Sequence, residues 1–291
     1  MPAQDSLQRF LFEQGNIRGE HVVLAESYQK ILSLYAYPEP IAKLLGQALC
    51  SVAMITAMLK FEGRISLQLQ HGSAISLLFV EANHHGDLRG LVHFHPEASL
   101  DDFQDMVRGG VMSVNLMPEK GKQYQGVISL EKQDLASCLT QYFKQSEQLD
   151  TEFWLCTQNN AAAGLMLQKL PQEHPDPELW NELQILTQTV KPNEMIELSS
   201  EVLLKRLYAE HDLQLFEVKT PHFKCQCSNE RALNSILMIP QKELTQLLKE
   251  QPTLESDCEF CRAHYQFTAD EIYQALLDPD TNSDNSSNTT H

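Results

Sequence analysis

Two short cysteine pairs are the residues best placed to do chemistry: Cys225-Gln-Cys227 and Cys258-Glu-Phe-Cys261, with 30 residues between them. Thiolates are soft ligands. Two close pairs joined by a folded connector can supply the four-coordinate tetrahedron that zinc prefers. His222 and His264 lie three residues outside the cluster on either side, and each is a candidate substitute ligand, although four thiolates already complete the shell. Oxidation within Cys225–Cys227 and within Cys258–Cys261 would consume all four ligands without a distant partner, because a disulfide sulfur binds zinc poorly. Cys227 also precedes an expected helix, whose N-terminal partial positive charge favours thiolate. The spacing permits such a switch and equally permits a static zinc site.

The elements that must hold these cysteines are specified locally. Ser228 can cap a first connector helix with Leu233, Ile236 and Leu237 as its apolar face. Pro240 sits near the start of a second, with Leu244, Leu247 and Leu248 inward. After Cys261, Thr268-Ala-Asp-Glu271 reads as a capping box, and Phe267 and Ile272 occupy the positions of a hydrophobic staple. A unit of this size buries too little core to be stable alone, so bound metal would contribute to its folding.

Upstream, residues 41–61 space Leu44, Ala48, Val52, Ile55 and Leu59 helically, and Ile65, Leu67 and Leu69 then alternate with Ser66, Gln68 and Gln70 as in a half-buried strand. Further short strands are expected at 74–81, 88–95, 111–116, 124–130 and 152–157, with a helix at 131–146 and an apolar segment at 161–170. Three prolines in Leu170-Pro-Gln-Glu-His-Pro-Asp-Pro177 mark a boundary, followed by helices at 178–189 and 194–209. The fold class is therefore α+β: an N-terminal mixed sheet-and-helix domain (1–171), a helical linker (172–220), a small four-cysteine zinc domain (221–278) and a disordered tail (279–291).

The chain has 291 residues, with 22 Lys plus Arg against 39 Asp plus Glu, for a formal charge of -17. That balance repels phosphate backbones and disfavours a zinc-ribbon nucleic-acid binder. The N-terminus MPAQDSLQRFLFEQGNIRGE has no basic start and no apolar core with a cleavage site, so no secretory signal is expected. The apolar run Leu44–Leu59 contains Gln47, Ser51 and Thr56 and is short for a bilayer span; it reads as a buried helix, and the expected location is the cytoplasm, with no membrane partner. Seven cysteines in that compartment point to metal or redox chemistry rather than structural disulfides. Cys50, Cys138 and Cys156 have no nearby second cysteine and read as buried small hydrophobes.

Two enzyme readings compete. Cys258-Glu-Phe-Cys261 could be the catalytic pair of a thiol-disulfide oxidoreductase, but the neighbouring βαβ pattern is missing. His93, His95, Asp101, Asp102 and Asp105 could suggest a metallohydrolase site, yet they read better as a strand end followed by a solvated acidic turn, with no H-E-x-x-H motif.

A family resemblance covers nearly the whole chain. Leu59-Lys-Phe-Glu-Gly-Arg-Ile-Ser-Leu-Gln-Leu-Gln70, Asp87-Leu-Arg-Gly90, Tyr124-Gln-Gly126, Gln145-Ser-Glu-Gln148, Ala163-Gly-Leu-Met-Leu-Gln168, Leu203-Leu-Lys-Arg-Leu-Tyr208, Phe223-Lys-Cys-Gln-Cys-Ser228 and Cys258-Glu-Phe-Cys-Arg-Ala-His-Tyr265 together resemble the 33 kDa chaperonin family of redox-regulated heat-shock chaperones. The chain departs from that pattern in keeping only Gly72 in the turn His71–Ala74 and in having Asn229 after Ser228. The resemblance implies one zinc per chain, held in the reduced and inactive form by Cys225, Cys227, Cys258 and Cys261. It implies oxidation to Cys225–Cys227 and Cys258–Cys261 disulfides, zinc release and unfolding of the C-terminal unit and linker. It further implies capture of unfolding client proteins, dimerisation of the active form and no enzyme activity. No ATP is expected to be used, and the sequence has no G-x-x-x-x-G-K-[ST] loop. The side chains expected to be bared from the linker are Trp180, Leu183, Ile185, Leu186, Leu203, Leu204 and Leu207.

Overall fold

The structure, a computed structural model, describes residues 4–14, 16–60, 62–171 and 177–277. The chain divides into two compact units, Met1–Lys224 and Cys225–His291. The expected tail at 279–291 and the boundary residues 172–176 lie outside the described residues.

In chain order the first unit comprises β1 (Ser6–Phe12), β2 (Ile17–Leu24), α1 (Glu26–Leu32), α2 (Glu39–Ala57), β3 (Gly63–Gln70), β4 (Ile75–Asn83), β5 (Asp87–Phe94), α3 (Phe103–Val107), β6 (Val111–Pro118), β7 (Tyr124–Ile128), α4 (Leu135–Gln145), β8 (Thr151–Gln158), β9 (Ala161–Lys169), α5 (Pro177–Gln188), α6 (Pro192–Glu197), α7 (Ser200–Leu207), β10 (Leu213–Leu215) and β11 (His222–Phe223). They form two sheets. The first runs β10-β1-β2-β9-β8 and is antiparallel throughout; the second runs β11-β5-β4-β3-β6-β7, with β11 alone pairing in parallel.

Helix α2 packs against both sheets. It is apolar on nearly every side, as a helix buried all round must be, and Leu45, Ala48, Leu49, Cys50, Val52 and Met54 are fully buried. Among the described residues it is the one helix long and apolar enough to cross a membrane, and 72% of that stretch is buried inside the fold. Close approach to the first sheet depends on small residues. A Cβ at Gly46 would meet Thr157 at 2.8 Å, and one at Gly164 would meet the Met54 methyl at 2.7 Å. Ile65, Leu67 and Leu69 of β3 join the core around α2 as their alternation requires.

The opposite face of the first sheet carries a second core. Phe10, Phe12, Ile17, Val23, Ala163, Leu165 and Leu167 are covered by Trp180, Leu183, Met195, Ile196, Leu203 and Leu204 of α5–α7 and by Tyr208. Tyr208 meets Phe12 edge-on, with ring centroids 4.9 Å apart, and its hydroxyl pairs with Thr187 Oγ1 at 2.7 Å. Strand β9 is therefore covered on both faces. That explains why 161–170 is continuously apolar instead of alternating.

Several expectations need correction. Ile185 is 63% exposed, so it is not among the linker side chains waiting to be uncovered. The helix expected at 194–209 is two helices, because Leu198 is extended and Ser199 starts α7 by accepting the Val202 amide on its hydroxyl. The helix expected at 131–146 starts only at Leu135, where Asp134 caps the Ser137 amide at 2.7 Å.

The second unit contains α8 (Asn229–Leu237), α9 (Gln241–Glu250), the hairpin β12 (Thr253–Asp257) and β13 (His264–Thr268), and α10 (Ala269–Leu277). Its caps follow the sequence. Ser228 Oγ accepts the Arg231 amide at 3.2 Å, and Thr268 and Glu271 exchange hydrogen bonds at 2.8 and 3.3 Å. Its core is small: Ile236, Leu244, Leu248, Leu254, Phe267 and Ile272.

Candidate metal centre

Cys225 and Cys227 lie in the segment leading into α8, and the Ser228 cap fixes where that segment ends. Cys258 and Cys261 lie in the tight connection between β12 and β13. The Cys258 amide donates to Ala263 O at 2.9 Å, the Arg262 amide donates to Cys258 O at 2.8 Å, and Arg262 turns the chain at φ 60°. The hairpin thus aims Cys258 and Cys261 at the segment before α8.

All four Sγ atoms lie within 4.8 Å of one another. The close contacts run across the pairs, Cys225 to Cys258 at 3.5 Å and Cys227 to Cys261 at 3.4 Å. A zinc tetrathiolate with bonds of about 2.3 Å places its sulfurs roughly 3.8 Å apart. The donor set and its spacing therefore fit a tetrahedral soft-metal site. This is the one such cluster of His, Cys, Asp and Glu among the described residues.

The electrostatics of the four thiols differ. Burial pushes the Cys227 thiol up, but hydrogen bonding from Tyr265 and from the other three cysteines outweighs it and leaves the thiol at about 7. Burial pushes Cys225 and Cys261 up. Tyr265 is pushed to about 12, chiefly by its hydrogen bond to Cys227. The tyrosine has no signal in the cysteine spacing; it falls at the end of Cys258–Tyr265, and only the hairpin brings it back to Cys227.

Neither flanking histidine joins the sulfur cluster. His222 Nε2 lies 2.7 Å from Asp87 Oδ1, and His264 Nδ1 lies 2.9 Å from Asp257 Oδ1. The acidic stretch after β5 is structural. Asp102 caps the Asp105 amide at 2.7 Å, Asp105 pairs with Arg108, and Asp101 accepts from Ser99 Oγ at 3.0 Å. Cys50 and Cys138 are buried, and burial raises both thiols. Cys156 is only partly buried; burial raises its thiol to about 11, and its sulfur lies 3.7 Å from that of Met195.

The model of the Hsp33 protein family matches residues 5–268. The chain belongs to the Hsp33 family. It is 42% identical over 271 residues to the 33 kDa chaperonin of Shewanella woodyi, covering 93% of this chain and 95% of that one. It is 39% identical over 282 residues to the 33 kDa chaperonin of Pseudomonas aeruginosa, covering 94% and 95%. The crystal structure of the 33 kDa chaperonin of Thermotoga maritima shares the fold, with a TM-score of 0.82 at 21% identity over 94% of this chain and 98% of that one. Membership in the Hsp33 family accords with the α+β architecture and the four-cysteine cluster near the C-terminus.

Proposed function

We propose that this chain is a redox-regulated, ATP-independent holdase chaperone of the cytoplasm, resting while reduced and activated by oxidation. The observation that carries the reading is the convergence of four thiols in a small unit with six buried apolar residues at its core, in a chain of the Hsp33 family.

Cys225, Cys227, Cys258 and Cys261 would hold one zinc ion as thiolates. Bound zinc supplies folding free energy to a unit whose own core is too small to be safely stable. The functional division follows as a core over 1–171, a linker over 172–220 and a switch domain over 221–278. Peroxide would oxidise the near neighbours: the two thiolates of each pair give up two electrons and form one S–S bond, and each peroxide takes those electrons and two protons from solvent to become two waters. Both Cys225–Cys227 and Cys258–Cys261 lie within the 4.8 Å cluster, so their pairing requires only local movement. Disulfide sulfurs no longer serve as anionic ligands, and the switch domain loses its main support.

Unfolding of that domain frees α5–α7 from the first sheet. These helices have 12, 6 and 8 residues, too short to persist unaided. Their departure bares Phe10, Phe12, Ile17 and Leu165 on one side and Trp180, Leu183, Leu203 and Leu204 on the other. A contiguous apolar surface captures unfolding clients and also favours a homodimer of the active form. The role is binding, not turnover.

The test is light scattering from a thermally unfolding enzyme, with reduced zinc-loaded and peroxide-treated protein side by side and no ATP. Only the oxidised protein is expected to suppress aggregation; equal protection by both forms rejects the switch.

A further inference from the structure

His21 sits in the middle of β2 and is 0% exposed. Its ring reaches the helices that cover the first sheet: Nε2 lies 2.9 Å from the Met195 carbonyl oxygen of α6, and Nδ1 lies 2.9 Å from Ser200 Oγ at the start of α7. A carbonyl can only accept, so Nε2 carries the proton and Nδ1 accepts from the Ser200 hydroxyl. The neutral imidazole therefore fastens both helices to β2 with both nitrogens satisfied.

A proton on Nδ1 would turn that acceptor into a donor facing a hydroxyl and place a full charge in the buried layer. Among the described residues, no carboxylate is paired with the ring to balance it. Its cross-strand neighbours are Gln8 on β1 and Leu165 on β9, both uncharged. Glu20 precedes it on β2, and alternation sends that side chain to the opposite face. Helix α6 carries Glu194 and Glu197, and α7 carries Glu201, Lys205 and Arg206. Glu194 is paired with Arg206 at 3.1 Å, and Glu201 with Lys205 at 2.6 Å. The Asp5 carboxylate, at the start of β1, is occupied by the amides of Ala25, Glu26 and Ser27.

We propose that His21 is an acid-sensitive latch: protonation at Nδ1 places an unbalanced charge in the buried layer between sheet and helices and releases α6 and α7 from the sheet while the four cysteines stay reduced. The latch would give the chain a trigger independent of oxidants. Its consequence for clients rests on the holdase reading above, but the latch itself is read without a client.

Burial lowers the imidazole from 6.5 to about 4, and the bond to the Met195 carbonyl offsets this only in part. A released, solvated His21 binds a proton near 6.5, so the open form takes up more protons than the closed one. The latch is fully engaged above about 6.5 and weakens as pH falls toward 4. Between pH 7.5 and 5.0 the opening equilibrium is expected to rise on the order of 30-fold.

The test is hydrogen exchange of residues 195–207 in reduced, zinc-loaded, full-length protein at pH 7.5 and 5.0. Rates are corrected for intrinsic exchange, and zinc content is measured in parallel. The comparison variants are His21→Leu, which cannot be charged, and His21→Gln, which keeps a donor and an acceptor but does not titrate. Wild type should open about 30-fold more at pH 5.0 and the variants should not; an equal acid response in both variants overturns the latch. If neither variant folds, NMR titration of the wild-type ring decides. A His21 still neutral at pH 5.5 supports the latch, and one titrating at 6 or above overturns it. An aggregation assay at pH 5.0 separates the two readings: opening without client protection leaves the latch standing and places the client surface elsewhere than under α6 and α7.

Discussion

The hydroxyl of Tyr265 donates a hydrogen bond to the sulfur of Cys227 at 3.1 Å. A donor aimed at a thiolate favours the charged form, and Cys227 is accordingly the thiol brought down to about 7. Tyr265→Phe removes that donor and nothing else from the ring. In reduced, zinc-loaded protein the Cys227 sulfur then loses a donor that favours its charged form, protons compete better with the metal, and acid should release zinc at a higher pH than in wild type. The pH profile of zinc release, followed with a chromogenic indicator, checks this; an unchanged profile shows that the bond does not tune the sulfur.

Chelating zinc from reduced protein should unfold the second unit and loosen α5–α7, while the rest of the first unit stays folded. Its core is six buried apolar residues, whereas structural zinc contributes on the order of 10–16 kcal/mol in small peptides. Amide protection should collapse over residues 225–277 and persist in α2, β3 and β9, which lie in the first unit's own cores. Equal protection of 225–277 with and without metal would show that the unit needs no ion.

Cys258→Ser isolates the ligand from its turn. The turn is held by main-chain bonds from Cys258 N to Ala263 O and from Arg262 N to Cys258 O, which serine retains. Only the soft donor is lost. Zinc affinity should fall by at least about a hundredfold, since losing an outer-shell partner alone costs 10–100-fold. Competition with a chromogenic chelator measures it; full retention of zinc would remove Cys258 from the ligand set.

The parts of the molecule written in short-range chemistry were legible in the sequence. The four cysteines, the Ser228 cap, the Thr268–Glu271 box and the alternation of β3 all act within a few residues, and the structure contains each of them. What depends on pairing across the chain was not. Strands β1 and β2 lie in a segment that carries Gln8, Arg9, Arg18, Glu20 and His21 among its apolar residues, and only their pairing with β9 and β10 makes them a sheet. His21 looks like an ordinary polar residue until α6 and α7 fold over it. Ile185 looks like its helical neighbours until the sheet selects Leu183 and leaves Ile185 in solvent. Tyr265 meets Cys227 only because β12 and β13 form a hairpin.

That contrast between Leu183 and Ile185 gives a test of the linker that needs no oxidant. Both are on α5, two residues apart. Leu183 is fully buried against the outer face of the first sheet, while Ile185 is 63% exposed. Leu183→Ala removes buried methyl groups and leaves a cavity between helix and sheet, a change worth about 2–5 kcal/mol. Ile185→Ala should stay within about 0.5 kcal/mol. Because α5–α7 are short and draw their stability from packing, the loss at Leu183 falls on their attachment. The core around α2 contains neither residue and should keep its protection. Reduced, zinc-loaded Leu183→Ala should therefore bind an apolar dye and suppress client aggregation without peroxide, while Ile185→Ala should behave as wild type. Dye binding together with client protection by Leu183→Ala would place the client surface under α5–α7; dye binding without protection would place it elsewhere. Unchanged dye binding would show that these helices stay seated despite the cavity.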